Sequence, residues 1–271
     1  MPELPEVETA LRGIAPYLTG KRISGLEVRE PRLRWPVPAR LAEVVVGRRI
    51  TDVRRRGKYL LIELGGGTLL VHLGMSGSLR VLPRDTPPGT HDHIDVQLDS
   101  GRCLRLRDPR RFGAFLWLTG PPEQHPLLRH LGPEPLGPEL NGDYLFALSR
   151  GRHAAVKTFL MDAQVVAGVG NIYANESLFL AGIHPARPCN RISRARYRVL
   201  ADRVKQVLEA AIAKGGTTLR DFVREDGSTG YFSLSLAVYG RAGAACPKCG
   251  GTIRQRRIGQ RSSFYCPQCQ R

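Results

Sequence analysis

The chain has 271 residues, and its 41 lysines and arginines outnumber the 24 aspartates and glutamates to leave a net charge of +17. Such an excess of positive charge indicates a polyanionic partner, nucleic acid above all, although a role in solubility alone stays open. The length suggests two domains. No uncharged apolar run approaches the roughly 20 residues of a membrane-spanning helix, and no basic-then-apolar secretion signal is present. We therefore expect no membrane partner and a cytoplasmic location.

The first predicted element is a helix from Leu4 to about Thr19, which Gly20 ends. Its apolar residues at helical spacing are Val7, Leu11, Ile14 and Leu18.

The residues before this helix, Met1-Pro2-Glu3, suggest a reactive terminus. Removal of Met1 would leave Pro2 with a free secondary amine. The pKa of an α-amino group is about 7.7–8.0, far below that of a lysine side chain. A neutral secondary amine that condenses with an aldehyde carbon gives an iminium, which promotes elimination. Glu3 could move a proton beside it. By themselves these residues also fit a Met-Pro start without any function.

Short runs rich in valine, leucine and isoleucine extend from about Ile23 to Leu118. Two of them, 59–64 and 68–73, are joined by three glycines, and Asp99-Ser-Gly101 marks a second hairpin. No long helical pattern separates the runs, so the pattern favours a β-sandwich or barrel over βαβ units. We assign 1–120 to this domain and the proline-rich 121–140 to a linker.

A helical domain is predicted over 141–236. Its clearest helix runs from Ser193, a plausible N-cap, to Lys214, with Gly215 as the stop. Two shorter helices are expected on either side of Gly168-Val-Gly170-Asn171, with the asparagine as an N-cap that could bind a phosphate. Glycine turns between helices are mostly plain connectors, so this alternative remains.

Four of the six cysteines lie in the last segment, 237–271, as two Cys-x-x-Cys pairs sixteen residues apart. This spacing is typical of a β-hairpin with a structural four-thiolate zinc site. Two disulfides or a redox pair are weaker alternatives. Cys103 and Cys189 are expected to be ordinary buried residues. The predicted ligands are Cys246, Cys249, Cys266 and Cys269.

Six motifs in the same order resemble those of bacterial formamidopyrimidine-DNA glycosylases, over essentially the whole chain. They are Pro2-Glu-Leu-Pro-Glu-Val-Glu-Thr9, Gly57-Lys58-Tyr59, His72-Leu-Gly-Met-Ser-Gly77, Asp108-Pro-Arg-Arg-Phe-Gly113, Gly168-Val-Gly-Asn-Ile-Tyr173 and the cysteine pattern.

The resemblance implies an α+β protein of two domains: an N-terminal β-sandwich with an N-terminal helix, and a C-terminal helix-two-turn-helix domain with a zinc-ribbon hairpin. It implies a monomeric, nucleoid-associated base-excision-repair enzyme that binds damaged double-stranded DNA and one Zn²⁺. Its activities would be removal of oxidised purines, such as 8-oxoguanine and formamidopyrimidines, and lyase cleavage by β,δ-elimination.

The resemblance also assigns catalytic roles. Pro2 would attack the sugar C1′ and form a Schiff base, and Glu3 would protonate the ring oxygen. Lys58 would donate the proton of the first elimination. Arg261 is the family's donor for the second, but a guanidinium titrates above about 12, so we favour a phosphate-clamping role for it.

The remaining site residues are implied in the same way. Met75, Arg110 and Phe112 would fill the gap left by the extruded base, although core packing of Met75 and Phe112 is the simpler interpretation without the family. Glu6 and Thr217 would line the base pocket, and the glycine-bearing stretch 217–231 would close over it. Phosphates would be bound by His72, His91, Arg152, Asn171 and Tyr239.

Two other functions stay open. An oxidised-pyrimidine glycosylase of the endonuclease VIII type shares the Pro-Glu start but typically has glycine where Leu4 stands. A zinc-ribbon nucleic-acid-binding protein without catalysis would also account for the charge and the cysteines.

Overall fold

The computed structural model describes residues 2–215 and 236–271. The chain folds as two compact units, whose described parts are 2–129 with Gly215 for the first and 130–214 with 236–271 for the second. The boundary between the two units falls inside the predicted linker, 121–140. The limits given above for each domain remain predictions. Within the described ranges, no helix is both long and apolar enough to cross a bilayer.

The first unit begins with helix α1, Leu4–Leu18, as predicted. One face of the helix is buried, because its apolar side chains recur every three to four residues and together remove their surface from water. Those buried side chains include Val7, Ala10, Ile14 and Leu18. Pro5 lies in the first turn, where a residue without an N–H leaves no hydrogen bond unmade.

Two antiparallel four-stranded sheets follow, in the orders β1-β6-β7-β5 and β2-β3-β4-β8. Their elements are β1 Ile23–Val28, a short helix α2 Leu41–Val45, β2 Ile50–Arg56, β3 Tyr59–Leu64, β4 Gly67–His72, β5 Ser78–Pro83, β6 Asp92–Leu98, β7 Arg102–Arg107 and β8 Ala114–Leu118. Both predicted hairpins are present, since β3 and β4 pair, and β6 and β7 pair across Asp99–Gly101.

A single apolar core joins both sheets to α1. Most strands contribute alternate residues, as expected of a sheet with one face on a core. Representative members are Ile14 of α1, Leu60 and Val71 of one sheet, and Ile94 and Leu104 of the other. The predicted sandwich with an N-terminal helix is confirmed.

The other face of the first sheet carries a buried row of charges. Cross-strand pairing sets Asp95 opposite Arg105, whose guanidinium is 2% exposed and donates to both carboxylate oxygens of Asp95 at 2.8 and 2.7 Å. Arg105 also donates to the carbonyls of Thr86 and Pro87, in the loop that leads to His91. Burial opposes ionisation of Asp95, but hydrogen bonds from Arg105 and Arg29 outweigh it and hold its pKa below the usual value.

We expect Arg105→Met to lower the free energy of unfolding by about 3–5 kcal/mol, because it leaves a buried carboxylate without its main partner. Urea unfolding would measure the loss. Arg84→Met, at an exposed position of the adjoining loop, is the matched control and should change stability by no more than about 0.5 kcal/mol. Equal stability of the two variants would contradict the assigned role of the pair.

The second unit is helical, with a terminal hairpin. Its elements are α3 Gly142–Ser149, α4 Val156–Met161, α5 Asn171–Leu180, a 3-10 turn Cys189–Arg191, α6 Arg194–Ala213, β9 Arg254–Ile258 and β10 Arg261–Tyr265. Ser193 caps α6 as predicted, because its hydroxyl accepts from the backbone N–H of Arg196 at 3.3 Å. The two short helices α4 and α5 flank the glycine turn. Gly170, however, is the N-cap of α5, and Asn171 is its first helical residue, which corrects the predicted cap.

Candidate active site and zinc centre

The start of α1 places Pro2, Glu3 and Glu6 side by side. Glu3 is the N-cap, and its backbone N–H donates to Glu6 Oε2 at 2.8 Å in a capping-box arrangement. Both glutamates are 1% exposed, whereas Pro2 is half-buried. Position 2 therefore suits a nucleophilic nitrogen with two carboxyl groups beside it.

The β2–β3 hairpin presents Lys58 on a two-residue loop. Gly57 has a φ of 57°, which the first position of a type II′ turn requires and which glycine adopts without strain. Two of the three arginines before it are paired with carboxylates: Arg54 pairs with Glu63 and Glu123, and Arg55 pairs with Glu8. The basic run therefore contributes less free charge for phosphate contact than its sequence indicates.

His72 ends β4 opposite Tyr59, the residue after Lys58, and the two ring centroids are 4.8 Å apart. The N–H of Gly74 donates to Nδ1 of His72 at 3.1 Å, so Nε2 carries the proton of the neutral ring. Burial lowers the pKa of His72 to about 4, and the charges of Lys58 and Arg34 add to this effect. His72 can therefore donate a hydrogen bond to an anion while it remains uncharged.

This shift predicts how stability depends on pH. The folded pKa of His72 lies below the unfolded value, so its neutral form stabilises the fold fully above about pH 6.5, and this contribution is lost as the pH falls toward about 4. NMR titration should find no protonation of His72 at pH 5.5. The acid-side loss of unfolding free energy should be smaller in His72→Gln. A midpoint for His72 near pH 6.5 would contradict the assignment.

Asp108 joins the two loops that carry the predicted gap-filling residues. It is 0% exposed; its Oδ1 accepts from the hydroxyl of Ser76 at 3.0 Å, and its Oδ2 accepts from the N–H of Gly113 at 2.8 Å. Gly74 lies so close to the backbone of Phe112 that a Cβ would come within 2.5 Å of it. Met75, on the first loop, is thereby held next to the second loop.

Arg110 and Phe112 form the exposed tip of the second loop. The guanidinium carbon of Arg110 lies 4.8 Å from the centre of the Phe112 ring, and Phe112 is 39% exposed. An aromatic side chain so exposed is not core packing, so the structure disfavours that alternative for Phe112, while Met75 is half-buried. Arg110 and Phe112 line an open groove of about 610 Å³ together with Arg32, Leu33, Arg34 and Arg111.

His91 lies beside the same loops. Its carbonyl accepts from the N–H of Asp108 at 3.0 Å, and its ring is 6.4 Å from that of His93, whose Nε2 is 2.9 Å from the Asp108 carbonyl oxygen. Asp108 thus connects the predicted phosphate-binding residue to the predicted gap-filling loops.

In the second unit, Glu176 organises the backbone around Tyr239. Its carboxylate is buried and accepts three consecutive backbone N–H groups, those of Ala237, Val238 and Tyr239, at 2.8, 3.0 and 2.8 Å. The Tyr239 ring packs edge-on against Phe264 at 5.1 Å. Asn171 lies at the start of the same helix and is 9% exposed. The N-terminus of this ten-residue helix, with an asparagine as its first residue, suits phosphate contact.

Arg261 is exposed at the start of β10, after a two-residue hairpin loop in which Gly259 and Gln260 both have positive φ. The buried Lys157 fixes the next residues, because its Nζ donates to the carbonyl of Ser262 at 2.8 Å and to the hydroxyl of Ser263 at 2.6 Å. Arg152 is exposed, and its Nη1 lies 3.7 Å from Oδ2 of Asp162, so its positive charge is partly compensated.

The four predicted zinc ligands converge. Their sulfur atoms lie within 4.8 Å of one another, with 3.9 Å between Cys246 and Cys269 and 3.5 Å between Cys249 and Cys266. A tetrahedron of Zn–S bonds of about 2.3 Å has edges of about 3.8 Å, so the cluster fits the ion. Cys103 and Cys189 are buried elsewhere, as expected.

The structure thus gathers the predicted site residues into local groups, each within one unit. Pro2, Glu3 and Glu6 share the start of α1, Lys58 and His72 share a sheet end, and the gap-filling residues share two joined loops. Thr217 and the stretch 217–231 lie outside the described residues. Sequence reasoning missed Arg34, Glu8 and Glu176, and it used Asp108 only as part of a motif.

Family comparisons cover nearly the whole chain. Residues 1–115 match the formamidopyrimidine-DNA glycosylase N-terminal domain, residues 131–223 the formamidopyrimidine-DNA glycosylase H2TH domain, and residues 243–271 a zinc finger found in FPG and IleRS. The zinc-finger match and the thiolate geometry together assign one structural zinc to the cysteine cluster.

Individual relatives agree. The formamidopyrimidine-DNA glycosylase of Methylococcus capsulatus is 61% identical over 271 residues, and that of Stenotrophomonas maltophilia is 60% identical; in both cases all of each chain is covered. The solved Fpg protein of Thermus thermophilus is 38% identical, with a TM-score of 0.87 over 99% of this chain and 98% of that one. A Lactococcus lactis Fpg mutant in complex with Fapy-dG-containing DNA is 33% identical, with a TM-score of 0.90 over all of both chains.

A β-sandwich that begins with a helix, an H2TH unit and a zinc hairpin define a DNA glycosylase of the helix-two-turn-helix class. The chain belongs to the formamidopyrimidine-DNA glycosylase family.

Proposed function

We propose that this chain excises oxidised purines from damaged duplex DNA and then cleaves the strand, with the imino nitrogen of Pro2 as the nucleophile. The family is one of base-excision-repair glycosylases with associated lyase activity, and solved relatives bind Fapy-dG-containing and abasic-site-containing DNA. The observation that carries the mechanism is the start of α1, where residue 2 lies at a helix N-terminus beside two buried carboxyl groups.

In the proposed first step, the Pro2 nitrogen forms a bond to C1′ while the glycosidic bond breaks. The base leaves with the bonding electrons and takes up the proton that the Pro2 nitrogen loses. Glu3 supplies the proton that lets the ring C1′–O4′ bond open, which leaves a cationic iminium between Pro2 and C1′. Glu3 suits this role because it is buried next to Pro2, and its backbone N–H, which donates to Glu6 Oε2, fixes its main chain at the helix start.

The iminium then acidifies the C2′ hydrogen, and this proton passes to water. The electrons of the C2′–H bond form the C2′–C3′ double bond, while the C3′–O bond breaks and the phosphate leaves with its electrons. Lys58 is the proposed proton donor for this elimination, and Arg261 is proposed to hold phosphate during the second. The other proposed phosphate contacts are His72, His91, Arg152, Asn171 and Tyr239. Glu6 and Thr217 are proposed to line the base pocket.

Base extrusion costs a few kcal/mol for unstacking and unpairing. We propose that Met75 and Phe112 occupy the vacated stack and that Arg110 bonds the orphaned base. The exposed Phe112 ring with Arg110 stacked on it supports this assignment, since both are presented on a loop that Asp108 holds rigid. We expect a monomer that works at the bacterial nucleoid, where its substrate lies.

The direct test is borohydride trapping on duplex that contains 8-oxoguanine. The protein should release the base and become covalently linked, and mass spectrometry of the digested adduct should place the sugar on Pro2. A parallel duplex with a ring-saturated pyrimidine should be processed much more slowly. Attachment at a lysine would overturn the mechanism, and preference for the pyrimidine would favour the endonuclease VIII type.

A further inference from the structure

A chain of charged contacts connects α1 to the loop that carries Lys58. Glu8 lies on α1, and its Oε2 accepts from Arg55 Nε at 2.9 Å. The same guanidinium donates through Nη1 to the carbonyl of Gly57, also at 2.9 Å. The fork of one arginine thus holds a helix carboxylate and a turn carbonyl at a fixed separation.

The carbonyl that Arg55 holds belongs to the peptide bond that joins Gly57 to Lys58. The orientation of this carbonyl sets the direction in which the Lys58 backbone leaves the turn. Glycine has more conformational freedom than any other residue, so the hydrogen bond from Arg55 to the Gly57 carbonyl restricts the geometries that this turn can adopt. Glu8 lies little more than one turn along α1 from Glu3. The contact therefore fixes the Lys58 turn relative to the helix at whose start the proposed nucleophile lies.

The Glu8–Arg55 pair is protected enough to be a geometric constraint. The Arg55 side chain is 10% exposed and that of Glu8 is 16% exposed, so salt screens the pair much less than a surface pair. Burial opposes ionisation of Glu8, but hydrogen bonds from Arg55 and Arg12 outweigh it and hold its pKa below the usual value, so the pair stays ionic at neutral pH.

We propose that Glu8 and Arg55 are positioning residues for strand cleavage: they hold the Gly57–Lys58 peptide so that Lys58 reaches the sugar bound to Pro2. The inference rests on the proposed function of Lys58. Arg55 is neutralised and nearly buried, so it acts through Lys58 and not as a phosphate contact.

The test is single-turnover cleavage of preformed abasic-site duplex, with Kd measured on an uncleavable abasic analogue. Arg55→Gln should lower the cleavage rate about 10-fold while Kd stays within about twofold. Glu8→Gln should lower it several-fold. Arg12→Gln is the matched control, because Arg12 bonds the other oxygen of Glu8, is 64% exposed and has no contact with the turn in the described hydrogen bonds; its rate should not change.

A double-mutant cycle separates positioning from general stability. If Arg55 acts through Lys58, Arg55→Gln should cost little further rate in a Lys58→Gln background. Arg55→Lys provides a second variant if Arg55→Gln melts early, since it keeps the charge but lacks the planar fork that spans both acceptors. It should show most of the same rate loss at a melting temperature near that of the wild type.

Three results would overturn the proposal: an unchanged cleavage rate in Arg55→Gln, a loss of equal size with and without Lys58, or a Lys58→Gln variant that cleaves normally. Failure of the wild type to cleave the abasic strand would instead refute the proposed function itself. The two failures are therefore distinguishable.

Discussion

Protein that keeps an uncleaved extension in front of Pro2 should form no borohydride-stable adduct with damaged duplex. In an extended chain the Pro2 nitrogen is part of a tertiary amide, whose lone pair is delocalised into the carbonyl and cannot attack C1′. We expect base excision to fall by at least about 1,000-fold, as for loss of a covalent nucleophile elsewhere. Gel analysis after borohydride treatment and single-turnover kinetics would measure it.

The control is the same protein after a protease has removed the extension and exposed Pro2, which should restore both signals. Pro2→Gly should give an intermediate result, since it keeps a terminal amine but not the secondary one. An extended protein with normal trapping would show that the nucleophile lies elsewhere.

Removal of zinc should abolish DNA binding through loss of the hairpin. Cys246 and Cys266 are buried in one small cluster with Phe179 of α5, Ile253 and Phe264, so the metal and this core stabilise each other. Structural zinc sites contribute about 10–16 kcal/mol in isolated fingers, comparable with the whole stability of a domain. A Cys266→Ser variant should lose the ion, and its Kd for abasic duplex should rise at least about 100-fold.

Zinc content per chain and fluorescence anisotropy at fixed salt would test this prediction. Cys103→Ala is the matched control, because that thiol is buried in the first unit and far in sequence from the cluster. It should retain one zinc and normal affinity. A metal-free Cys266→Ser protein with wild-type Kd would show that the hairpin is dispensable for binding.

Local patterns predicted the elements well. Helices α1 and α6 have apolar stripes and caps within a few residues, and the β3–β4 and β6–β7 hairpins have glycine-bearing turns. The zinc cluster was predictable for the same reason, since each Cys-x-x-Cys pair is local and only one hairpin must form to join them.

Contacts across the fold were not predictable. Asp108 reaches Ser76 across 32 positions, Glu8 reaches Arg55 across 47 and Glu176 reaches Ala237 across 61. Such pairings depend on which strands and helices become neighbours, which periodicity does not specify. The arginine run before Lys58 illustrates the consequence, because its sequence indicates phosphate contact whereas two of its members are bound to carboxylates.

The role proposed for Pro2 needed the family resemblance. Its chemistry follows from a terminal amine, but many chains begin with Met-Pro. The structure adds the setting at the start of α1, where the burial of Glu3 and Glu6 depends on tertiary packing and is not visible in the sequence.

The buried row of charges around Arg105 should respond to ionic strength differently from the exposed charges of the protein. Counterions screen charges in water over about 8–10 Å, yet they do not enter a site whose guanidinium is 2% exposed. Exposed arginines among the described residues, such as Arg110 and Arg261, instead face solvent, where cations compete with them for phosphate. A high concentration of chloride salt should therefore release the protein from its duplex while the sandwich stays folded. Dissociation from DNA and unfolding can then be measured in separate salt titrations.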